Sequence, residues 1–234
     1  MPKLQIEYYP LSEAAQAGGT IIVVDVLRAF TTAAFAFENG ASLILPVATV
    51  EEAVSLADRL PGSRIMGEVD GYKPEAFQFS NSPGALAGQD LTGQVLIQRT
   101  SAGTQGLVRA VQASALFAAS FVVARATAQA VSLTQSEAVS FVITGASERR
   151  DGDEDLACAE YIAALVQGHQ PVPEPYLERV LTSTVGREFA SGSLGYLLKE
   201  DVGLCCQVDR FGFAMPVQRE NGRLEMRPVL QMAH

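Results

Sequence analysis

The feature that most constrains the fold is the alternation of short apolar runs with helical patterns along the chain. Runs such as TIIVVDV, ASLILPV, QVLIQRT and AVSFVITG alternate with amphipathic or alanine-rich segments such as TVEEAVSLADRL and DEDLACAEYIAALVQG. Strands that alternate with helices indicate an α/β protein whose sheet carries helices on its faces. No linker rich in Pro, Gly and Ser divides the 234 residues, so we predict a single domain over 1–234.

Several segments depart from this alternation. VDGYKPEAFQFSNSPGALAGQD is full of turn formers and predicts a long, functional loop. HQPVPEPYLERVL and EFASGSLGYLLKED predict helical regions, and FGFAMPVQRENGRLEMRPVL predicts a C-terminal β-hairpin. GLCCQVD, in contrast, continues the alternation and predicts a late strand. A short echo between DVLRAFTTAAFAF and QRTSAGTQGLVRA leaves open a division into two related lobes.

Composition excludes several classes of function. The formal net charge is -9, which argues against nucleic-acid and anionic-membrane binding because both need a basic surface. The apolar stretches are too short to span a bilayer and the first residues lack the apolar core of a signal peptide, so we expect a cytoplasmic protein. Cys158, Cys205 and Cys206 have no disulfide or metal-binding spacing, and we expect inert buried thiols.

The motifs that are missing narrow the chemistry further. The sequence has no Walker A loop and no G-x-G-x-x-G after a strand. His169 lies in a loop-like segment and His234 is the last residue, so neither is placed as a catalytic base. Carboxylate, Arg and hydroxyl groups remain, and this set suits phosphoryl transfer assisted by Mg²⁺.

Four segments could supply those groups. Each follows a predicted strand or opens a helix, and each also has a purely structural interpretation as a helix cap, a turn or a solvated helix start. The candidate residues are Asp25, Arg28, Thr31 and Thr32; Glu68, Asn81 and Ser82; Arg99, Thr100, Ser101, Gly103 and Thr104; and, within an acidic cluster, Glu154 and Asp155.

Taken together, these segments resemble the 2-phosphosulfolactate phosphatase family, the ComB-like proteins associated with coenzyme M biosynthesis. The matching segments are VDVLRAFTTAAFAFENGA, ILPVATVEEA, MGEVDGYKPEAFQFSNSPGAL, QRTSAGTQGL, DGDEDLACAEYI and VDRFGFAMPV, in family order across almost the whole chain. The resemblance implies a three-layer α/β/α ComB-like fold with a mostly parallel or mixed sheet. It also implies a Mg²⁺-dependent phosphatase that converts 2-phosphosulfolactate to sulfolactate and phosphate.

The resemblance carries the candidate residues over by position, and we infer a role for each. The predicted metal ligands are Asp25, Glu154 and Asp155. The predicted catalytic residues are Asp25, Arg28, Arg99 and Glu68. The predicted substrate-binding residues are Thr31, Thr32, Asn81, Ser82, Thr100, Ser101, Gly103 and Thr104. The chain departs from the family pattern at Val69, Ala102, Asp153 and Glu154, where the family commonly has Arg, Asn, Glu and Asp.

Several alternatives stay open at this point. The attacking group is either a metal-activated water or Asp25 itself. The chain could instead be a non-catalytic protein that binds an anion or phosphorylated metabolite, a phosphatase for a different small phosphorylated carboxylate, or a phosphotransferase. The expected partner is a small phosphorylated metabolite, and a homodimer is the commonest soluble assembly.

Overall fold

A computed structural model of the chain describes residues 4–146, 150–192 and 198–231. Within these ranges the chain forms eleven strands and eight α-helices. The strands are β1 (Gln5–Pro10), β2 (Gly19–Val24), β3 (Leu43–Pro46), β4 (Arg64–Gly67), β5 (Phe79–Ser80), β6 (Val95–Arg99), β7 (Ala113–Ala119), β8 (Ala138–Ile143), β9 (Phe213–Glu220), β10 (Arg223–Met226) and β11 (Val229–Leu230). The helices are α1 (Ala29–Glu38), α2 (Val50–Arg59), α3 (Gly103–Arg109), α4 (Ala124–Leu133), α5 (Asp153–Val166), α6 (Glu174–Thr182), α7 (Thr184–Ser191) and α8 (Lys199–Cys205).

The strands form one mixed sheet with two parallel halves. Its order is β1-β8-β2-β7-β9-β10-β3-β6-β4-β5, and β11 pairs with β9. Strands β1, β8, β2 and β7 are parallel to one another, as are β3, β6, β4 and β5. Strands β9 and β10 join the halves by antiparallel pairing. The predicted α/β class, mixed sheet and C-terminal hairpin are therefore confirmed, and the hairpin lies at the centre of the sheet.

The tight turn of this hairpin follows from its two connecting residues. Asn221 has φ +51° and Gly222 has φ +76°. Asn tolerates the left-handed region and Gly adopts it without steric cost, so this dipeptide matches the twist of two antiparallel strands.

The core lies on both sides of each half-sheet. Helix α1 is buried from Ala29 to Phe37, and it packs with the inner faces of strands from both halves. Helices α4 and α5 cover the outer face of the first half, and α2 covers the outer face of the second. Residues of β2 alternate between these layers, because successive strand side chains point to opposite faces. Helices therefore flank the sheet as a three-layer α/β/α arrangement requires.

The two segments that echo each other in sequence follow corresponding strands. Strand β2 is third from one edge of the sheet, and β6 is third from the other edge. Helix α1 follows β2 and α3 follows β6. The chain thus enters a helix after the equivalent strand of each half.

The predicted strand GLCCQVD is wrong. Gly203, Leu204 and Cys205 belong to α8, and Cys206 ends that helix. A short apolar run does not distinguish a strand from a buried helix segment, whereas Glu200 and Asp201 in the preceding turn favour a helix start. The thiols of Cys158 and Cys205 are buried, which raises the pKa of both, and Cys206 is half-buried.

Most of the other local predictions are confirmed. The segment between β4 and β6 is largely loop, with only β5 and a short 3₁₀ turn at Gly84–Leu86. HQPVPEPYLERVL contains α6, and EFASGSLGYLLKED contributes to α7 and α8, with 193–197 lying outside the described residues. None of the helices in the described ranges is both long and apolar enough to cross a bilayer.

Candidate active site

Asp25 is a buried carboxylate at the end of β2, only 6% exposed. Its Oδ1 accepts a hydrogen bond from the N–H of Ala29 at 2.8 Å, in the first turn of α1. Burial raises the pKa of Asp25 to about 6 against the opposing effect of this hydrogen bond, and the charge of nearby Glu68 adds to the rise. A carboxylate that titrates near neutral pH marks the end of β2 as a candidate functional site.

The loop between β6 and α3 meets Asp25 through a glycine. A Cβ built on Gly103 would lie 2.8 Å from Oδ2 of Asp25, so any side chain there would displace the carboxylate. Thr100 and Thr104 brace this loop, because the N–H of each donates to the side-chain hydroxyl of the other, at 2.9 and 3.0 Å. The loop therefore presents its backbone to Asp25 at close range.

Glu68 organises the same loop from the end of β4. Its Oε1 accepts from the N–H of Ser101 at 2.6 Å, and its Oε2 accepts from the hydroxyl of Ser101 at 3.0 Å and the N–H of Gly71 at 2.6 Å. Arg99 donates to the carbonyl of Glu68 at 2.7 Å, and its buried Nε has no hydrogen-bond partner in the described part of the chain. Glu68 therefore stabilises the conformation of the loop. The Nε–H of Arg99 can still donate to a ligand, because no described residue accepts from it.

The close approach of β4 to β6 depends on Gly67. This residue has φ +134°, and a Cβ built on it would lie 1.8 Å from the carbonyl oxygen of Arg99. Only glycine fits there, because any Cβ would clash with that carbonyl oxygen. The backbone conformation of Gly67 places Glu68 beside the end of β6.

Replacing Glu68 by Gln is expected to loosen the loop. The Gln side chain has one oxygen and one NH₂ group in place of the two carboxylate oxygens of Glu. Because the NH₂ group cannot accept a hydrogen bond, at least one of the three hydrogen bonds to residue 68 is lost. We expect phosphate release to fall about 10- to 100-fold, the equivalent of 1.4 to 2.8 kcal/mol. Amide hydrogen exchange should also accelerate at Gly71 and Ser101.

A matched control for this substitution is Glu52→Gln. Glu52 accepts from the N–H of Ala48 at 2.9 Å on an exposed surface, so it tests the loss of a carboxylate acceptor elsewhere. Unchanged exchange at Gly71 and Ser101 in the Glu68 variant would contradict the bracing role.

The two acids at the start of α5 occupy different environments. Oδ1 of Asp155 accepts from the N–H of Val26 at 2.7 Å, while Oδ2 accepts from the N–H of Gly145 at 2.8 Å and the hydroxyl of Thr144 at 3.1 Å. Asp155 therefore ties α5 to the ends of β2 and β8. Glu154 is 2% exposed, and its Oε2 has no hydrogen-bond partner among the described residues.

The charges of these acids act on one another. Burial raises the pKa of Glu154, and the charge of Asp25 adds to the rise. Burial also raises the pKa of Asp155 well above its usual value, and the charges of Glu154 and Asp25 contribute. Several carboxylates at one site repel each other unless a cation compensates them.

These residues fit a hard cation. Across 4–146, 150–192 and 198–231, no three His, Cys, Asp or Glu side chains form a ready-made metal cage. Mg²⁺ is commonly held by one or two carboxylates and keeps several waters. Asp25 could supply such a ligand, as could Oε2 of Glu154, which no described residue hydrogen-bonds, while Asp155, with both oxygens engaged, could orient them.

Arg28 lies in a buried ion pair at the start of α1. Its Nη1 donates to Oδ2 of Asp201 at 2.6 Å, and its guanidinium lies over the ring of Phe189 with 5.2 Å to the centroid. Oδ1 of Asp201 accepts from the hydroxyl of Ser82 at 2.8 Å. The structure thus brings together two predicted segments, one from each half of the sheet.

The remaining predicted residues are buried near these groups. Thr31 donates its hydroxyl to the carbonyl of Val26 at 2.9 Å, which supports the turn into α1. The hydroxyl of Thr32 and Oδ1 of Asn81 are buried, and neither has a hydrogen-bond partner in the ranges that the structure describes. Unpaired buried polar atoms are uncommon and are expected to find a partner in a ligand, a water or an ion.

Sequence reasoning missed three residues of this region. Thr144 and Gly145 follow β8, and the Thr-Gly pair at the end of AVSFVITG is the same signal that identified the loop after β6. Asp201 carried no signal, because an acid in the first turn of a helix is expected on structural grounds alone.

Comparison with known proteins agrees with these observations. The family model described as 2-phosphosulpholactate phosphatase matches residues 7–221. A Bacillus subtilis (strain 168) protein named probable 2-phosphosulfolactate phosphatase is 36% identical over 200 residues, covering 85% of this chain and 87% of the relative. A protein of the same name from Carboxydothermus hydrogenoformans is 34% identical, covering 70% of this chain and 67% of the relative. Another from Prochlorococcus marinus is 27% identical, covering 94% of this chain and 99% of the relative. The chain therefore belongs to the 2-phosphosulfolactate phosphatase family of phosphoric monoester hydrolases, which confirms the resemblance seen in the sequence.

Proposed function

We propose that this chain hydrolyses a small phosphate monoester in a Mg²⁺-dependent reaction, with 2-phosphosulfolactate as the physiological substrate. The observation that carries the proposal is the buried carboxylate of Asp25, which meets the loop at Gly103 and shares its site with a Glu154 oxygen that has no hydrogen-bond partner within the described ranges. Acceptor oxygens that suit a hard cation thus lie beside backbone and hydroxyl groups that suit a phosphate. Membership of a phosphatase family supports the same conclusion.

In this proposal the acids hold the metal ion. Asp25 and Glu154 would bind Mg²⁺, and Asp155 would keep them oriented through its hydrogen bonds to Val26 and Gly145. When bound, Mg²⁺ would polarise the phosphoryl oxygens as a Lewis acid and compensate the charge of these carboxylates.

The other residues bind the ester. Arg28 and Arg99 would neutralise phosphoryl oxygens, as guanidinium groups do in phosphate sites. The loop from Thr100 to Thr104 would donate hydrogen bonds, and Glu68 would hold that loop in shape. Overall, the ester P–O bond breaks, one water is consumed, and sulfolactate and phosphate leave. Either water or Asp25 attacks the phosphorus, and both routes have this balance.

Phosphate release from a panel of esters tests the proposal. The panel contains 2-phosphosulfolactate, phospholactate and a phosphorylated alcohol without a second acidic group, each with Mg²⁺ and with EDTA. We expect release with Mg²⁺, loss of release with EDTA, and recovery when Mg²⁺ is added back. The ester with the highest kcat/KM identifies the substrate.

Two results would contradict the proposal in different ways. Equal release with Mg²⁺ and with EDTA would remove the metal ion from the reaction. If no ester released phosphate and inorganic phosphate still raised the unfolding midpoint, the chain would be a non-catalytic anion-binding protein.

Three further features form part of the proposal. A role in coenzyme M biosynthesis follows if 2-phosphosulfolactate ranks first in the panel. A cytoplasmic location is proposed because the expected substrate is a small phosphorylated metabolite. A homodimer is proposed on the general frequency of such assemblies.

A further inference from the structure

Asp201 is a fully buried carboxylate to which the proposed reaction assigns no role. It lies in the first turn of α8 and accepts hydrogen bonds from three donors. Oδ2 accepts from Nη1 of Arg28 at 2.6 Å, and Oδ1 accepts from the hydroxyl of Ser82 at 2.8 Å and the N–H of Gly84 at 3.0 Å. One carboxylate therefore connects three separate parts of the chain.

These contacts join the two halves of the sheet. Arg28 precedes α1, which follows β2 in the first half, whereas Ser82 follows β5 at the far edge of the second. Asn81, whose buried Oδ1 has no partner in the described ranges, is the neighbour of Ser82. Fixing Ser82 therefore also fixes Oδ1 of Asn81, which pairs with no described residue and can accept a hydrogen bond from a ligand.

The approach of Asp201 to this turn is close enough to require glycine. A Cβ built on Gly84 would lie 2.9 Å from Oδ1 of Asp201. The hydroxyl of Ser82 in turn accepts from the N–H of Ala85 at 3.1 Å. The carboxylate thus holds the whole turn that follows β5.

The guanidinium of Arg28 is held in two directions. Asp201 binds it along one edge, and the ring of Phe189 in α7 lies under its face at 5.2 Å. A planar group with one edge and one face held keeps a single orientation. Without Asp201, the side chain of Arg28 would gain rotational freedom.

We propose that Asp201 is a positioning residue that fixes Arg28 and the Asn81–Ser82 turn in one relative orientation for binding the phosphate ester. This inference rests on the proposed function, because it requires Arg28 and that turn to contact the ester. It assigns to α8, whose sequence carries no recognisable motif, a part in substrate binding.

Kinetics of Asp201→Asn test the inference. Asn keeps the shape but not the charge, so we expect the KM for 2-phosphosulfolactate to rise about 10- to 100-fold, the range for one charge-assisted hydrogen bond. The Kd for inorganic phosphate, measured by calorimetry, should rise in parallel. Both measurements are made on protein shown by circular dichroism to be folded. An unchanged KM in the folded variant would overturn the inference.

The matched control is Glu225→Gln. Glu225 is also buried, at 5% exposed, and pairs with Arg223 at 2.9 Å and Arg227 at 3.0 Å, but it lies on β10. We expect the KM of the Glu225→Gln variant to stay within about twofold of the KM of the unmodified chain, because the change is remote from the site. An equal rise in both variants would show that loss of any buried carboxylate has this effect, and would overturn the inference.

A double-mutant cycle separates positioning from a general structural role. If Asp201 acts in part through Arg28, the rise in KM caused by Asp201→Asn should be smaller in an Arg28→Ala background, where only the contribution of the Asn81–Ser82 turn remains. Additive effects would overturn the inference. If Asp201→Asn does not fold, Gly84→Ala disturbs the same carboxylate, because the added Cβ would lie 2.9 Å from its Oδ1, and a rise in KM of about 3- to 10-fold is expected.

Failure of the proposed function remains distinguishable from failure of this inference. If the unmodified chain releases no phosphate from any ester, the Kd for inorganic phosphate decides. Weaker binding in Asp201→Asn would support positioning at an anion site, whereas equal binding, or no binding by the unmodified chain, would overturn it.

Discussion

Asp25→Asn is expected to abolish phosphate release while making the folded chain more stable. Loss of this carboxylate removes a proposed metal ligand or nucleophile, and we expect kcat to fall at least about a thousandfold. The same carboxylate is buried, and its pKa is raised to about 6. Asn keeps an oxygen that accepts from the N–H of Ala29 but carries no charge. The substitution therefore removes the free-energy cost of burying a charged carboxylate.

The gain in stability should depend on pH. In the unfolded chain Asp25 titrates near its usual value of 3.8, and in the folded chain at about 6, so the folded state binds the proton more tightly. The free energy of unfolding therefore falls as pH rises from about 4 to 6 and stays low above that range. At pH 8 the variant should be more stable by about 1 to 2 kcal/mol, allowing for a weakened hydrogen bond.

Urea unfolding at pH 8 and pH 4, without Mg²⁺, measures this effect. The advantage of Asp25→Asn should be present at pH 8 and absent at pH 4. Asp58→Asn, on the exposed side of α2, is the control and should change the free energy of unfolding by less than about 0.5 kcal/mol. A variant that loses both activity and stability at pH 8 would show that Asp25 serves the fold.

Arg28→Met is expected to be among the most destabilising single changes in the chain. Arg28 and Asp201 are 5% and 0% exposed, and their pair is 2.6 Å long. Met preserves the length of the side chain but leaves the carboxylate of Asp201 with Ser82 and Gly84 as its only donors among the residues that the structure describes. Removing one partner of a buried ion pair costs about 3 to 5 kcal/mol, and we expect about 3 because these two donors remain.

The control for this prediction is Arg150→Met. Arg150 pairs with Glu188 at 3.1 Å, but these side chains are 44% and 33% exposed. Exposed pairs contribute about 0 to 1 kcal/mol, so the urea midpoint should move little. Equal shifts for the two variants would mean that burial does not distinguish these ion pairs.

The class of fold could be predicted from the sequence because it depends on local patterns. Short apolar runs and helical patterns identified most strands and helices, and Asn221 with Gly222 identified the hairpin. The position of that hairpin could not be predicted, because pairing of β9 with β7 and of β10 with β3 joins residues far apart in the chain. The run around Cys205 was assigned to a strand because its apolar length fits either kind of element.

The residues of the site could be predicted from the sequence to a similar extent. Strand ends with acids, hydroxyls and glycine pointed to Asp25, Glu68 and the loop at Gly103, which the structure brings together. The sequence could not distinguish Glu154, which keeps an unpartnered oxygen among the described residues, from Asp155, whose oxygens are engaged. That difference depends on the hydrogen bonds offered by β2 and β8, which no local pattern reports.

The central hairpin has a consequence for the order in which the chain can fold during synthesis. Strands β1 to β8 are complete by Ile143, yet within the described ranges the only strand pairing between the two halves of the sheet runs through β9 and β10, from Phe213 onward. A ribosome has therefore made most of the polypeptide before the strands that join the two halves exist. Asp201, which bonds to both halves, also emerges late. A nascent chain stalled before these residues would carry every acid of the site and still lack the framework that assembles them.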